Sequence, residues 1–116
     1  MIGTNGKKCA VTFEQNQDEL TVFINGEIDH YAAVSVRGRI DEKIIELRPK
    51  TTVLVLSDID FMDSSGIGLI MGRYSKMNGI GGTLKIRNAS ERVRKICKLA
   101  GLERIIEFED RGMLNE

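Results

Sequence analysis

Apolar and polar positions change period several times along the chain, and each change marks an element. Lys8 to Glu14 and Leu20 to Asn25 read as strands, with Leu20, Val22 and Ile24 on one face because strand side chains alternate. The polar Asn16-Gln17-Asp18-Glu19 between them predicts a hairpin. From His30 to Leu47 the period lengthens. Ala33, Val36, Ile40, Ile44 and Leu47 step by three and four as an amphipathic helix does, and Pro49 marks its end. Arg37, Arg39, Asp41, Glu42 and Lys43 cover much of the remainder as a solvated face. Thr52 to Leu56 is apolar on consecutive residues, as a central strand buried on both faces should be.

A second helix is predicted from Ser64 to Asn78, with Ile67, Ile70, Met71, Tyr74 and Met77 as its apolar stripe and Gly79-Ile80-Gly81-Gly82 as its stop. Thr83 to Arg87 makes a fourth strand. A third helix takes Ser90 as N-cap, Val93, Ile96, Cys97 and Ala100 as inner face and Gly101 as terminator. Ile105 to Phe108 closes the pattern as a short strand. The order β-β-α-β-α-β-α-β predicts one α/β domain over residues 1–116, with a mixed, mostly parallel sheet and helices packed against it.

Composition narrows the function classes. Seventeen Lys and Arg balance seventeen Asp and Glu, so the basic excess of a general nucleic-acid binder is missing. No apolar run approaches the roughly 20 residues that span a bilayer. The polar Met1 to Lys8 stretch predicts no leader, so a cytoplasmic protein without membrane contact is expected. Cys9 and Cys97 stand far apart without C-x-x-C spacing and read as reduced core thiols. His30 is the one imidazole, which argues against a zinc site.

The chemistry concentrates where the apolar strand meets the second helix, at Phe61-Met62-Asp63-Ser64-Ser65-Gly66-Ile67-Gly68. Asp63 or Ser64 suits a helix cap, since side-chain oxygens there accept the first unpaired N–H groups. Two early glycines cost such a helix roughly 1 kcal/mol each relative to alanine, which points to a close approach by something else. An exposed hydroxyl at this positive helix end also suits a phosphoryl acceptor. The residues alone leave cap and acceptor both open.

Other constellations fall short. Asp58, Asp60 and Asp63 read as solvated carboxylates rather than a magnesium or phosphoaspartate site, because the first strand ends in Glu14-Gln15-Asn16 without an acidic pair. Ser64, His30 and Asp29 or Asp63 lack the G-x-S-x-G elbow of a hydrolase, so no catalytic residue is assigned. The glycine run at 79–82 lacks a G-K-[ST] ending. Gly68 and Gly72 share a helix face, which serves either close packing or partner approach, and Met71 and Met77 read as core filler.

Three segments closely resemble the STAS-domain family of bacterial anti-sigma factor antagonists, nearest its sporulation branch, which acts on the anti-sigma-F factor. They are Gly26-Glu27-Ile28-Asp29-His30, the run from Phe61 through Tyr74, and Ala100-Gly101-Leu102 with Ile105-Ile106-Glu107-Phe108. The resemblance implies a switch and not an enzyme. Ser64 would be phosphorylated by the anti-sigma factor, itself an ATP-dependent serine kinase, so the chain needs no cofactor or metal of its own. The unphosphorylated form would bind that kinase and free a sporulation sigma factor, and a metal-dependent serine phosphatase would restore it. Asp29, Asp63, Ser65, Gly66 and Gly68 would form the partner-facing end. On this reading Gly66 and Gly68 bare the helix start for the kinase, so Gly66→Val keeps the fold and loses the partner. A STAS scaffold or small-ligand sensor within a stress-signalling assembly is the alternative. Two departures stand out: His30-Tyr31 replaces a pair of histidines common in the sporulation branch, and Asp110 to Glu116 allow only a turn or two where the family has a full last helix.

Overall fold

A computed structural model describes residues 9–111. Strands β1 (Ala10–Asn16) and β2 (Glu19–Ile28) form the expected hairpin. Its two turn residues are Gln17 and Asp18, with Gln17 in left-handed backbone at φ 56. Helix α1 (His30–Leu47) leads to β3 (Thr51–Met62), α2 (Ser64–Gly79) to β4 (Thr83–Arg87), and α3 (Glu91–Leu99) with a 3-10 turn (Leu102–Arg104) to β5 (Glu107–Glu109). The strands lie in chain order, antiparallel for β1-β2 and parallel for the other three pairs. The expected element order and the mixed, mostly parallel sheet are both present.

Register decides which side of the sheet is the core. Leu20 and Val22 pair with Thr52 and Leu54, which pair in turn with Leu84 and Ile86, so these share one face. They join one apolar cluster with Val36, Ile40 and Ile44 of α1, Leu69, Ile70 and Met77 of α2, and Val93 and Cys97 of α3. Thr52 is fully buried there, and its hydroxyl donates to Met77 Sδ at 3.1 Å, so this hydroxyl is not left stranded. The opposite face carries Arg87 between Glu109, at 2.7 Å, and Glu19, at 3.4 Å.

Several boundaries differ from the sequence reading. β2 runs on through Gly26 to Ile28, and β3 continues past Leu56 to Met62, with register shifts after Phe23 and Gly26. Gly26 absorbs the irregularity at φ 107. The extension buries Ile28 and Met62 directly before α1 and α2. The buried face of α2 is Gly66, Leu69, Ile70, Arg73 and Met77; Ile67, Met71 and Tyr74 are only half-buried. Ala100 is exposed because α3 ends at Leu99, and β5 starts at Glu107 because Leu102–Arg104 is spent on a 3-10 turn after Gly101 at φ 82. The expected start of β1 at Lys8, the Met1 to Lys8 stretch and the chain end beyond Arg111 lie outside the described residues.

Cys97 is a core thiol, fully buried, and burial with a smaller push from Glu103 raises its pKa to about 11. Cys9 is only half-buried, its pKa raised by burial and then by Asp29. The thiolate is the reactive form. A thiol reagent at about pH 8 should therefore label Cys9 in the native protein and Cys97 only after unfolding; equal labelling rates would place Cys97 outside the core.

Candidate functional site

β2 and β3 are parallel, so their carboxyl ends meet at one edge of the sheet, where open α/β folds expose their binding residues. Ile28 pairs with Met62, and the Asp63 N–H donates to the Ile28 carbonyl at 3.4 Å. The residue after each strand, Asp29 or Asp63, is the N-cap of the following helix. Asp29 Oδ1 accepts from the Ala32 N–H at 2.9 Å and Asp63 Oδ1 from the Ser65 N–H at 2.8 Å. Two capped helix starts thus stand side by side.

This geometry separates the two serines. Asp63 is the cap, so Ser64 is the first residue of α2 and its side chain is exposed. Ser65 serves the cap through its backbone N–H, and its side chain is half-buried. A groove of about 230 Å³ runs between the two helices, with His30, Val34 and Arg37 on the α1 side and Ser65, Gly68 and Leu69 on the α2 side. Tyr31 projects from the first turn of α1, 83% exposed, with its ring edge-on to His30 at 5.7 Å. Asp58 and Asp60 lie exposed on the last stretch of β3. Among the described residues no three His, Cys, Asp or Glu side chains gather where they could hold a metal ion.

The two glycines have different jobs, which corrects the expectation for one of them. Gly66 is buried, and a Cβ added there would overlap Cγ and Sδ of Met62. Packing within the domain by itself calls for a missing side chain there. Gly68 is exposed, and a Cβ there meets nothing within 4 Å. Gly72 is half-buried, but a Cβ there also meets nothing within 4 Å, which removes the close-packing explanation for that pair.

The sequence reading grouped Asp29, Asp63, Ser64, Ser65, Gly66 and Gly68 at one end, and the fold places all six at the starts of α1 and α2. It missed Val34, Arg37 and Leu69. Val34 and Leu69 are apolar residues off the assigned stripes of their helices, and that was the available signal. Arg37 belongs to the charged cluster that reads as a solvated face.

Away from this end, one buried polar contact joins the two helices. Arg73 of α2 is 5% exposed, and its Nε lies 2.9 Å from Asp41 Oδ1 of α1. Burial pulls the guanidinium pKa below its ordinary value, Asp41 pulls it back up, and Arg37 opposes Asp41.

A family model described as the STAS domain matches residues 10–111. The chain is 34% identical over 100 residues to an anti-sigma F factor antagonist of Paenibacillus polymyxa, covering 86% of each. It is 36% identical over 100 residues to an anti-sigma-B factor antagonist of Bacillus subtilis, covering 84% of this chain and 88% of that one. The fold is similar to the anti-sigma factor antagonist SpoIIAA in its unphosphorylated form, with a TM-score of 0.77 at 29% identity over 88% of both chains. It is also similar to the Bacillus cell fate determinant SpoIIAA in the phosphorylated form, with a TM-score of 0.71 at 28% identity over 88% of this chain and 91% of that one.

Proposed function

The chain belongs to the STAS-domain family, and from that membership we propose that it is an anti-sigma factor antagonist switched off by phosphorylation of Ser64. The family is regulatory and not enzymatic, so the chemistry at this site is performed on the chain by its partner. The observation that carries the reading is the position of Ser64: exposed, first in α2, one residue beyond a cap that Asp63 already supplies. Its hydroxyl is free for modification without dismantling the helix start. That a similar antagonist, SpoIIAA, has been solved in phosphorylated and unphosphorylated forms supports the same reading.

In this proposal the unphosphorylated form binds an anti-sigma factor that is itself a serine kinase using ATP, and a serine phosphatase resets the switch. The contact surface comprises Asp29, Asp63, Ser65 and Gly68 around Ser64, with the protein working in the cytoplasm. A sporulation sigma factor is the one released, on the likeness of the Gly26–His30 and Phe61–Tyr74 segments. Identities of 34% to an F-type and 36% to a B-type antagonist do not choose between the two, so the test includes both kinases.

The experiment is incubation with ATP and each kinase, followed by mass mapping of the phosphate. One phosphate on Ser64, abolished by Ser64→Ala, is expected. Phosphate on Ser65, or no transfer from any anti-sigma kinase, would overturn the assignment.

A further inference from the structure

We infer that Arg73 is a positioning residue: its buried pair with Asp41 sets how α1 and α2 lie against each other, and so sets the shape of the groove beside Ser64. Gly66, Leu69, Ile70, Arg73 and Met77 form the buried face of α2, so an arginine occupies a place where an apolar side chain would bury more simply. Arginine is almost never this buried without a partner. Here Asp41 is that partner, on the turn of α1 just after the fully buried Ile40. The contact is an ion pair without hydrogen-bond geometry, since Arg73 Nε, Arg73 Nη1 and Asp41 Oδ1 are all buried with no hydrogen-bond partner among the described residues.

Stability does not explain such a pair. Replacing a buried ion pair by apolar residues of similar volume is often neutral or stabilising, because desolvation costs as much as the attraction returns. What an ion pair adds is direction. Apolar contact between helices is non-directional and tolerates small rotations, whereas a charge pair between two fixed backbones favours one rotation and one register.

The placement gives that direction leverage. Asp41 lies eleven residues from His30 and Arg73 nine from Ser64, which at 1.5 Å per residue is roughly 13–17 Å along each helix. A relative swing of about 10° at the pair would move the helix starts by roughly 2–3 Å, enough to reshape the groove. Both helices start at that edge, so the pair can act on the groove through the helices, and Arg37, one turn from Asp41, is the groove residue whose charge reaches Arg73.

The partner arm of the test rests on the proposed function; the structural arm does not. The double variant Arg73→Met/Asp41→Leu should fold, with an unfolding midpoint at or above that of the parent. Its affinity for the anti-sigma kinase should fall about tenfold, and its amide shifts should change as far as His30, Ser65 and Gly68. Arg73→Lys, which keeps a charge opposite Asp41, should hold affinity within about threefold. Parent-like affinity in the double variant, with shift changes confined to the surroundings of residues 41 and 73, would overturn the inference. Should the double variant fail to fold, Asp41→Asn keeps the shape and removes the charge, and the same readouts decide. If the parent itself bound no anti-sigma kinase, the proposed function would fail, and the reach of the amide changes would still judge the positioning role.

Discussion

Ser64→Asp should weaken binding to the anti-sigma kinase by about one to two decades, and phosphorylation of Ser64 by about two to three, while Ser64→Ala binds persistently. A phosphoserine adds roughly −1.5 to −2 charges and an aspartate about −1, so the substitution is a partial mimic. The domain itself tolerates the charge. A helix start favours an anion by roughly 0.3–1 kcal/mol, and Asp63 next door opposes it. The cap is untouched, because Asp63 Oδ1 bonds the Ser65 N–H and not the Ser64 side chain. The loss falls instead on the partner, which must meet added charge and bulk where it met an exposed hydroxyl. A penalty of about 3–4 kcal/mol corresponds to the expected two to three decades.

Titration calorimetry with nucleotide-loaded kinase reads these affinities directly. Equal affinity of the Ala and Asp variants would sink the switch. Amide shifts of phosphorylated protein, compared with the parent, separate a local block from a rearrangement. Changes confined to the starts of α1 and α2 fit the block, and changes throughout the sheet would contradict it.

The features legible in the sequence were those encoded by neighbours along the chain. α1 is readable from the stripe of Val36, Ile40 and Ile44 and from Pro49 after its end, whereas its Asp29 cap is seen only in the structure. Ser64 could be placed because an apolar strand, an aspartate and two serines leave little choice of where the helix starts. The end of β3 is not legible because its last six residues alternate irregularly: Ile59 and Met62 are buried while Ser57, Asp58, Asp60 and Phe61 are exposed. That pattern comes from register shifts against β2, which no local period encodes. Arg73 was invisible for a related reason. Its buried place depends on Asp41 arriving from another helix, so a stripe read from hydrophobicity passes over it to Met71 and Tyr74. The groove beside Ser64 needs the same interhelix geometry and was missed with it.

Gly66→Val should lower stability by about 1–3 kcal/mol, a packing cost that the expectation of a retained fold leaves out. The helix-propensity change slightly favours valine, by roughly 0.4 kcal/mol. Sterics decide the outcome. The new Cβ would overlap Cγ and Sδ of Met62, which is buried at the end of β3, with Ile28 Cγ2 next at 3.5 Å. Extra atoms in a packed site typically cost 1–3 kcal/mol. For a domain of this size each kcal/mol lowers the melting temperature by about 4 °C. Gly68→Ala should do the reverse. Its Cβ meets nothing within 4 Å, so the helix gains up to about 1 kcal/mol of propensity and the melting temperature rises. If a partner surface closes on this turn, the same methyl should weaken kinase binding about tenfold in a protein that is more stable than its parent. Melting and binding measured together on both variants therefore separate packing from recognition. A stable Gly66→Val protein would mean that Met62 yields easily, and a Gly68→Ala protein that binds as well as the parent would remove Gly68 from the contact surface.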